Sequence, residues 1–290
     1  MLILFAGCKS NNSSSAHYHH QLWRFPYKDT SFKWKNFERQ NDELKQKFIQ
    51  SHPSDVNEGI KMYLNPYGIP PEPGKPKSAI HILDINNDGI DDIIYEGYSG
   101  GEPTLTAIYL NTPNGFKLIF KDEQYVAKLD FKDKRLSAIY MVDPGCCAAY
   151  MVFSKIYQID FKDDMPVVKR VFFTGHYQLT EFPAKYLNSP VKLKTINDNV
   201  KLRTKPLIAN NDSLFLSGDI HMGNDLGKIQ KGGLCKAIAK MKDVKGNEWW
   251  FVEVDPMTKI SGHVFYDDTD TNKGVSAKLG WVRSIDVTNK

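Results

Sequence analysis

The stretch that decides the reading is Asp84-Ile85-Asn86-Asn87-Asp88-Gly89-Ile90-Asp91-Asp92. Before it stands Ser78-Ala-Ile-His-Ile-Leu83, and after it Ile93-Ile-Tyr-Glu96; both flanks read as strands. Oxygen-bearing side chains fall at loop positions one, three, five and nine, with glycine at six. A hard cation such as calcium takes several oxygens at about 2.3–2.6 Å, some of them carboxylate. Asp84, Asn86, Asp88 and Asp92, with the carbonyl of Ile90, are therefore expected to surround a structural Ca2+. Gly89 permits the sharp turn. The Ile90 side chain is expected to face the core and anchor the loop.

A helix–loop–helix calcium site requires glutamate at position twelve, and Tyr95 stands there. With a strand on each side and aspartate at nine, the segment resembles the calcium loop of integrin-type FG-GAP/VCBS repeats. It departs from them in carrying Asn87 where glycine is usual. The competing reading is an Asx-rich turn whose side chains bond their own backbone. The loop occurs once, which excludes a propeller built of several such repeats.

Outward from the loop, the chain of 290 residues has room for two domains. Its 41% hydrophobic and 25% charged residues are ordinary for a globular protein, while 12% aromatics favour strands. The formal charge of +4 is too small and too dispersed for a nucleic-acid partner. No apolar run is long enough to span a bilayer. None of the four cysteines, Cys8, Cys146, Cys147 and Cys235, has zinc-ligand spacing.

Met1-Leu-Ile-Leu-Phe-Ala-Gly-Cys8 puts two small residues before a cysteine after an apolar run. It resembles a bacterial lipobox, although Phe5 stands where leucine is commoner. The resemblance implies lipidation of Cys8, membrane attachment through its acyl chains, and a place in the cell envelope facing the periplasm or the outside. Residues 1–20 are then a signal remnant and tether, with an apolar stretch too short for a complete signal peptide.

Residues 21–185 read as an α+β domain. A helix is expected over Asn36–Gln50, with Phe37, Leu44 and Phe48 on one face, and a second from Asp55, with Glu58 as its capping partner. Pro70 to Pro76 links them to the strand before the loop. Thr104–Leu110 and Phe116–Lys121 flank the turn signal Asn114-Gly115. Strands at Tyr125–Phe131, Arg135–Val142, Ala148–Asp160 and Pro166–Gly175 complete an antiparallel meander.

Residues 186–290 differ. Val200-Lys-Leu-Arg-Thr-Lys-Pro206, Gly227-Lys-Ile-Gln-Lys-Gly232, Trp249-Trp-Phe-Val-Glu-Val254 and Gly280-Trp-Val-Arg283 follow one another in order. As a set they resemble bacterial SH3-like domains, with Lys205 in place of a usual glycine and an insertion over Asp255–Leu279. The resemblance implies a small β-barrel that engages peptidoglycan or an envelope protein. Trp249, Trp250 and Trp281 are its candidate ligand-stacking residues, at least one of them being core. Cys235, alternating with lysines, reads as a small core residue.

No nucleophile elbow, phosphate loop, dinucleotide fingerprint or metalloprotease helix is present. His17, His19 and His20 form a short terminal cluster, and the other histidines read as structural or solvent-facing. Glu96 and Glu102 flank a Gly-rich run and offer an acid pair on paper. The whole is read as a mainly β, lipid-anchored envelope binding protein with one calcium site and no catalytic residues. The alternatives are a periplasmic enzyme or redox protein working at Cys146/Cys147 or the Gly-rich loop, and an immunity-type lipoprotein.

Overall fold

The computed structural model describes residues 25–27, 31–51, 53–64, 78–99, 104–144, 150–216, 219–262 and 276–290. Cys8, the histidine cluster, the proline-rich link, Glu102 and the Cys146-Cys147 pair lie outside the described residues, as do His52 and His263. The protein is mainly β, with two α-helices and mixed sheets among the described residues.

Strands β1 (Ile80–Leu83), β2 (Asp92–Tyr98), β3 (Thr104–Thr112) and β4 (Gly115–Asp122) form an antiparallel sheet in sequence order. Its Ile93-Ile94-Tyr95 run does not alternate, because both faces are covered. Helices α1 (Asp42–Gln50) and α2 (Asn57–Leu64) lay Leu44, Phe48 and Ile60, with Val56 just before α2, against Ile82, Ile93 and Tyr95. Ile94 and Ile108 face the other way, onto Leu129, Leu136 and Ile139. Gly59 lets α2 sit against the end of β2: a Cβ there would lie 2.0 Å from the Tyr98 carbonyl oxygen.

The first helix is shorter than its apolar pattern suggests. A 3-10 turn covers Trp34–Asn36, and α1 starts only after Asn41, whose side chain accepts the Leu44 N–H at 3.0 Å. That cap fixes the start. Phe37 is left outside the helix, stacked on Phe32.

The meander continues as β5 (Tyr125–Lys132), β6 (Arg135–Asp143), β7 (Met151–Lys162) and β8 (Met165–Tyr177). Two-residue turns join β5 to β6 and β7 to β8. Their residues Asp133, Lys134, Asp163 and Asp164 all have positive φ, the form whose twist matches paired strands. The sequence predicts one sheet for the first domain, but β5–β8 belong to a second, larger one. The chain changes sheet at Asp122, whose carboxylate accepts from Lys155 and Tyr157 on β7, both at 2.8 Å.

The C-terminal strands are β9 (Val191–Thr195), β10 (Val200–Arg203), β11 (Ser213–Leu216), β12 (Asp219–Met222), β13 (Asp225–Ile229), β14 (Leu234–Lys242), β15 (Glu248–Val254), β16 (Ile260–Ser261), β17 (Ala277–Arg283) and β18 (Val287–Asn289). The large sheet runs β18-β9-β14-β15-β17-β8-β7-β6-β5, and β10 branches from β17 to reach β13 and β16. These pairings do not close into a barrel among the described residues. The sheet also crosses the position 185/186, because β17 pairs in parallel with β8 at Thr174 and Gly175. A core of Leu202, Leu226, Ile229, Val252 and Val282 takes in Met151 and Tyr177 from the meander.

Candidate functional site

In the aspartate-rich loop, Asp84 and Asp88 are turned onto loop backbone. Asp84 accepts the N–H groups of Asp88 and Gly89, both at 3.1 Å, and Asp88 accepts that of Ile90 at 2.8 Å. Asn86 donates its side-chain amide to Asp88 at 2.8 Å. Asp92 is buried and takes the N–H groups of Ile85 at 3.0 Å and Asn111 at 2.9 Å. Its carboxyl is pushed up to about 6, by burial first, with the charges of Asp88 and Asp84 adding to the rise. Asn87 and Gly89 supply the positive φ angles that curl the loop.

Outside the loop, Arg39 sits 2.8 Å from Asp91 and 3.7 Å from Asp84. One expectation is corrected: Ile90 is exposed, and Ile85, wholly buried among Ile94, Leu129 and Leu136, anchors the loop instead. The Ile85 N–H held by Asp92 turns that side chain inward. Among the described residues, no three His, Cys, Asp or Glu side chains are grouped closely enough to hold a metal ion. The donors Asp84, Asn86, Asp88, Asp92 and the Ile90 carbonyl fit a hard cation in kind, all being oxygens.

The three tryptophans separate. Trp281 is fully buried and donates its Nε1–H to the Glu181 carbonyl at 2.7 Å. Trp249 is equally buried and donates to Asp243 at 3.1 Å. Neither offers a ring face for stacking on a ligand, which corrects that expectation for both. Trp250 is half-buried, and Lys240 lies over its ring at 4.9 Å.

What the sequence did not single out is a cleft of about 540 Å³ at the end of the C-terminal sheet. Three connections frame it: Pro206–Ile208 after β10, the β14–β15 turn, and the 3-10 turn Ser284–Asp286 after β17. Each is pinned by one buried or well-bonded polar side chain. Asn224 accepts from Arg203 Nη1 at 2.7 Å and donates to the Leu207 carbonyl at 3.0 Å. Asp243 accepts from the backbone of Lys245 and Asn247 and from the Asn247 side chain, each at 2.9 Å. The Asn247 side chain is the main cause that holds the Asp243 carboxyl down at about 2. Arg283 grips Asp286 through two nitrogens at 2.7 and 3.1 Å.

On this fixed frame five apolar side chains stand among charged ones around the rim. Leu207, Ile208, Met241, Val244 and Ile285 are all exposed, and Val244 at 104% has nothing covering it. Exposed apolar residues scattered singly are ordinary; five around one concavity form a patch. No amphipathic period announces them, because they come from three separate connections and the end of β14.

Two polar groups lie elsewhere. His81 is buried, stacked on Trp34 at 3.9 Å and paired with Glu38 at 2.9 Å, and burial pushes it down to about 4. Glu96 accepts from Trp34 Nε1 at 3.0 Å and from the Val126 N–H at 2.6 Å. Both clamp the Trp34 turn onto the first sheet. Cys235 is buried in the C-terminal core, and burial raises its thiol to about 12, so it is an unreactive core residue.

Set beside protein-family models, curated proteins and solved structures, the chain matches none of them.

Proposed function

We propose that this chain is a lipid-anchored cell-envelope binding protein whose SH3-like C-terminal module engages peptide, either that of peptidoglycan or a segment of an envelope protein. The observation that carries the reading is the apolar patch of Leu207, Ile208, Met241, Val244 and Ile285 around one cleft. Burying an exposed valine or isoleucine gains roughly 1.5–3 kcal/mol, so Val244 and Ile285 contribute most when a partner covers them. The aliphatic lining favours a peptide over a sugar ring, which stacks on an exposed aromatic face. The order of β10, β14, β15 and β17 supports the SH3-like reading.

Cys8 attaches the chain to the membrane, and the Asp84–Asp92 loop binds one structural calcium ion through Asp84, Asn86, Asp88, Asp92 and the Ile90 carbonyl. The all-oxygen donor set supports the ion, since a hard cation takes oxygen ligands.

Sedimentation with purified peptidoglycan, beside pull-down with solubilised envelope proteins, tests the binding reading. Val244→Ser with Ile285→Ser should abolish whichever interaction is found while leaving the melting temperature within a degree or two. Undiminished binding by that double variant would remove the cleft from the account.

A further inference from the structure

Phe25-Pro26-Tyr27 lies across the large sheet where its two halves meet. The meander strands join the C-terminal strands through β8 and β17, by the pairs Thr174–Ala277 and Gly175–Lys278. On one face of this seam, Met151 and Tyr177 are held in the C-terminal core. Tyr27 sits on the other face. Its hydroxyl lies 2.9 Å from Thr174 Oγ1, at the seam itself. Its ring stacks on Phe182 at 4.6 Å and meets the His176 ring edge-on at 5.6 Å. Phe182 in turn packs on Phe251 of β15 at 5.4 Å. Phe25 is buried against Tyr140 of β6 and Phe172 of β8, with ring centroids 5.9 and 6.1 Å away. Three consecutive residues therefore touch both halves, and these contacts are made by side chains.

The seated segment covers polar atoms that it does not satisfy. On β7, Val152 stands opposite His176 and Ser154 opposite Thr174. Residues directly opposite each other share a face of the sheet, so Ser154 and His176 lie on the face that carries Tyr27. Both are buried, and neither Ser154 Oγ nor His176 Nδ1 meets a hydrogen-bond partner among the described residues. A buried polar atom without a partner has lost its water and gained no bond in exchange. That cost belongs to the closed arrangement and is relieved when water enters.

We propose that Phe25–Tyr27 is a clasp over the seam: seated, it holds β8 to β17, and lifted, it lets that pairing open while each half keeps its own core. Lifting breaks the Tyr27–Thr174 bond and the ring contacts and wets Ser154 and His176. The two matched pairs between β8 and β17 are a short ladder, and openings confined to one such contact cost less than global unfolding. The clasp is separate from the cleft of Val244 and Ile285, so neither reading depends on the other.

Residue-resolved hydrogen exchange on the full chain tests it. In Tyr27→Ala, the amides that bridge Thr174–His176 and Ala277–Leu279 should exchange at least tenfold faster, while those of Ile93–Tyr95 in the first sheet and Ala237–Ala239 in β14 keep their protection. Tyr27→Phe, which keeps the ring and removes the hydroxyl, should fall between Tyr27→Ala and the wild type, and it serves if Tyr27→Ala does not fold. The double variant Phe25→Ala with Tyr27→Ala should open the seam further. The tetrapeptide Arg-Phe-Pro-Tyr, which has the sequence of residues 24–27, should restore protection to that variant at millimolar concentration, and Arg-Ala-Pro-Ala should not. Unchanged seam protection in the double variant, or an equal rise in exchange across all strands, would overturn the proposal.

Discussion

His176 is buried on β8 with its Nδ1 meeting no hydrogen-bond partner. Tyr27 and Phe182 present ring edges to it at 5.6 and 4.8 Å, and Tyr27 in turn bonds to Thr174 at 2.9 Å. In that aromatic box burial lowers its pKa from 6.5 to about 4. The unfolded chain then binds the proton more readily than the folded one between those values. Stability from neutral His176 is full above about pH 6.5 and is lost as pH falls toward 4, by about 3 kcal/mol in all. His81 acts in the same direction, so the comparison needs a variant. His176→Phe keeps an aromatic ring in the box and removes the titration. Urea midpoints at pH 7 and pH 4.5 should fall less for His176→Phe than for the wild type, and equal falls would show that His176 is already charged in the fold.

At the scale of elements, the aspartate-rich loop is tied on three sides. Asp92 holds β1 to β2 and β3 through Ile85 and Asn111. Asp91 accepts from Asn41, the residue that caps α1, at 3.2 Å, and from Arg39 at 2.8 Å. On the proposed reading, a cation bound by the loop would therefore steady a helix cap as well as a sheet corner. For a site with Kd on the order of 10⁻⁴ M, 5 mM calcium should add about 2 kcal/mol by mass action. The melting temperature should rise with calcium and fall back with chelator, and Asp88→Ala should abolish the response. Indifference of the wild type to both would leave an Asx-rich turn that bonds only itself.

Over the whole molecule, the β8–β17 pairing makes the two halves share a sheet. The C-terminal core takes in Met151 and Tyr177, and Phe182 packs on Phe251 at 5.4 Å. Tyr177 also holds the β11–β12 hairpin, accepting the Phe215 N–H at 3.1 Å and donating to its carbonyl at 3.2 Å. A fragment of residues 186–290 should fold with a cooperative transition, but below the melting temperature of residues 150–290. Lost area predicts the difference, since each fully buried large side chain is worth about 1.5–3 kcal/mol. Equal melting temperatures would make 186–290 a self-sufficient unit and the shared sheet incidental.

The sequence by itself determined the β character, the hairpins and the curled loop. Period-two apolar runs, Asn114-Gly115 and the oxygen spacing from Asp84 to Asp92 act over a few residues, so they can be read locally. It did not separate Ile85 from Ile90, since both are isoleucines in one loop and only the fold, in which the Ile85 N–H donates to Asp92, turns Ile85 inward. Nor did it place Phe37, which falls on the helix period but precedes the Asn41 cap. Tertiary structure alone split the meander between two sheets, buried Trp249 and Trp281, and gathered Val244, Ile208 and Ile285 around one cleft. Those outcomes depend on which strand edges meet across long stretches of chain, and no local pattern of side chains encodes that choice.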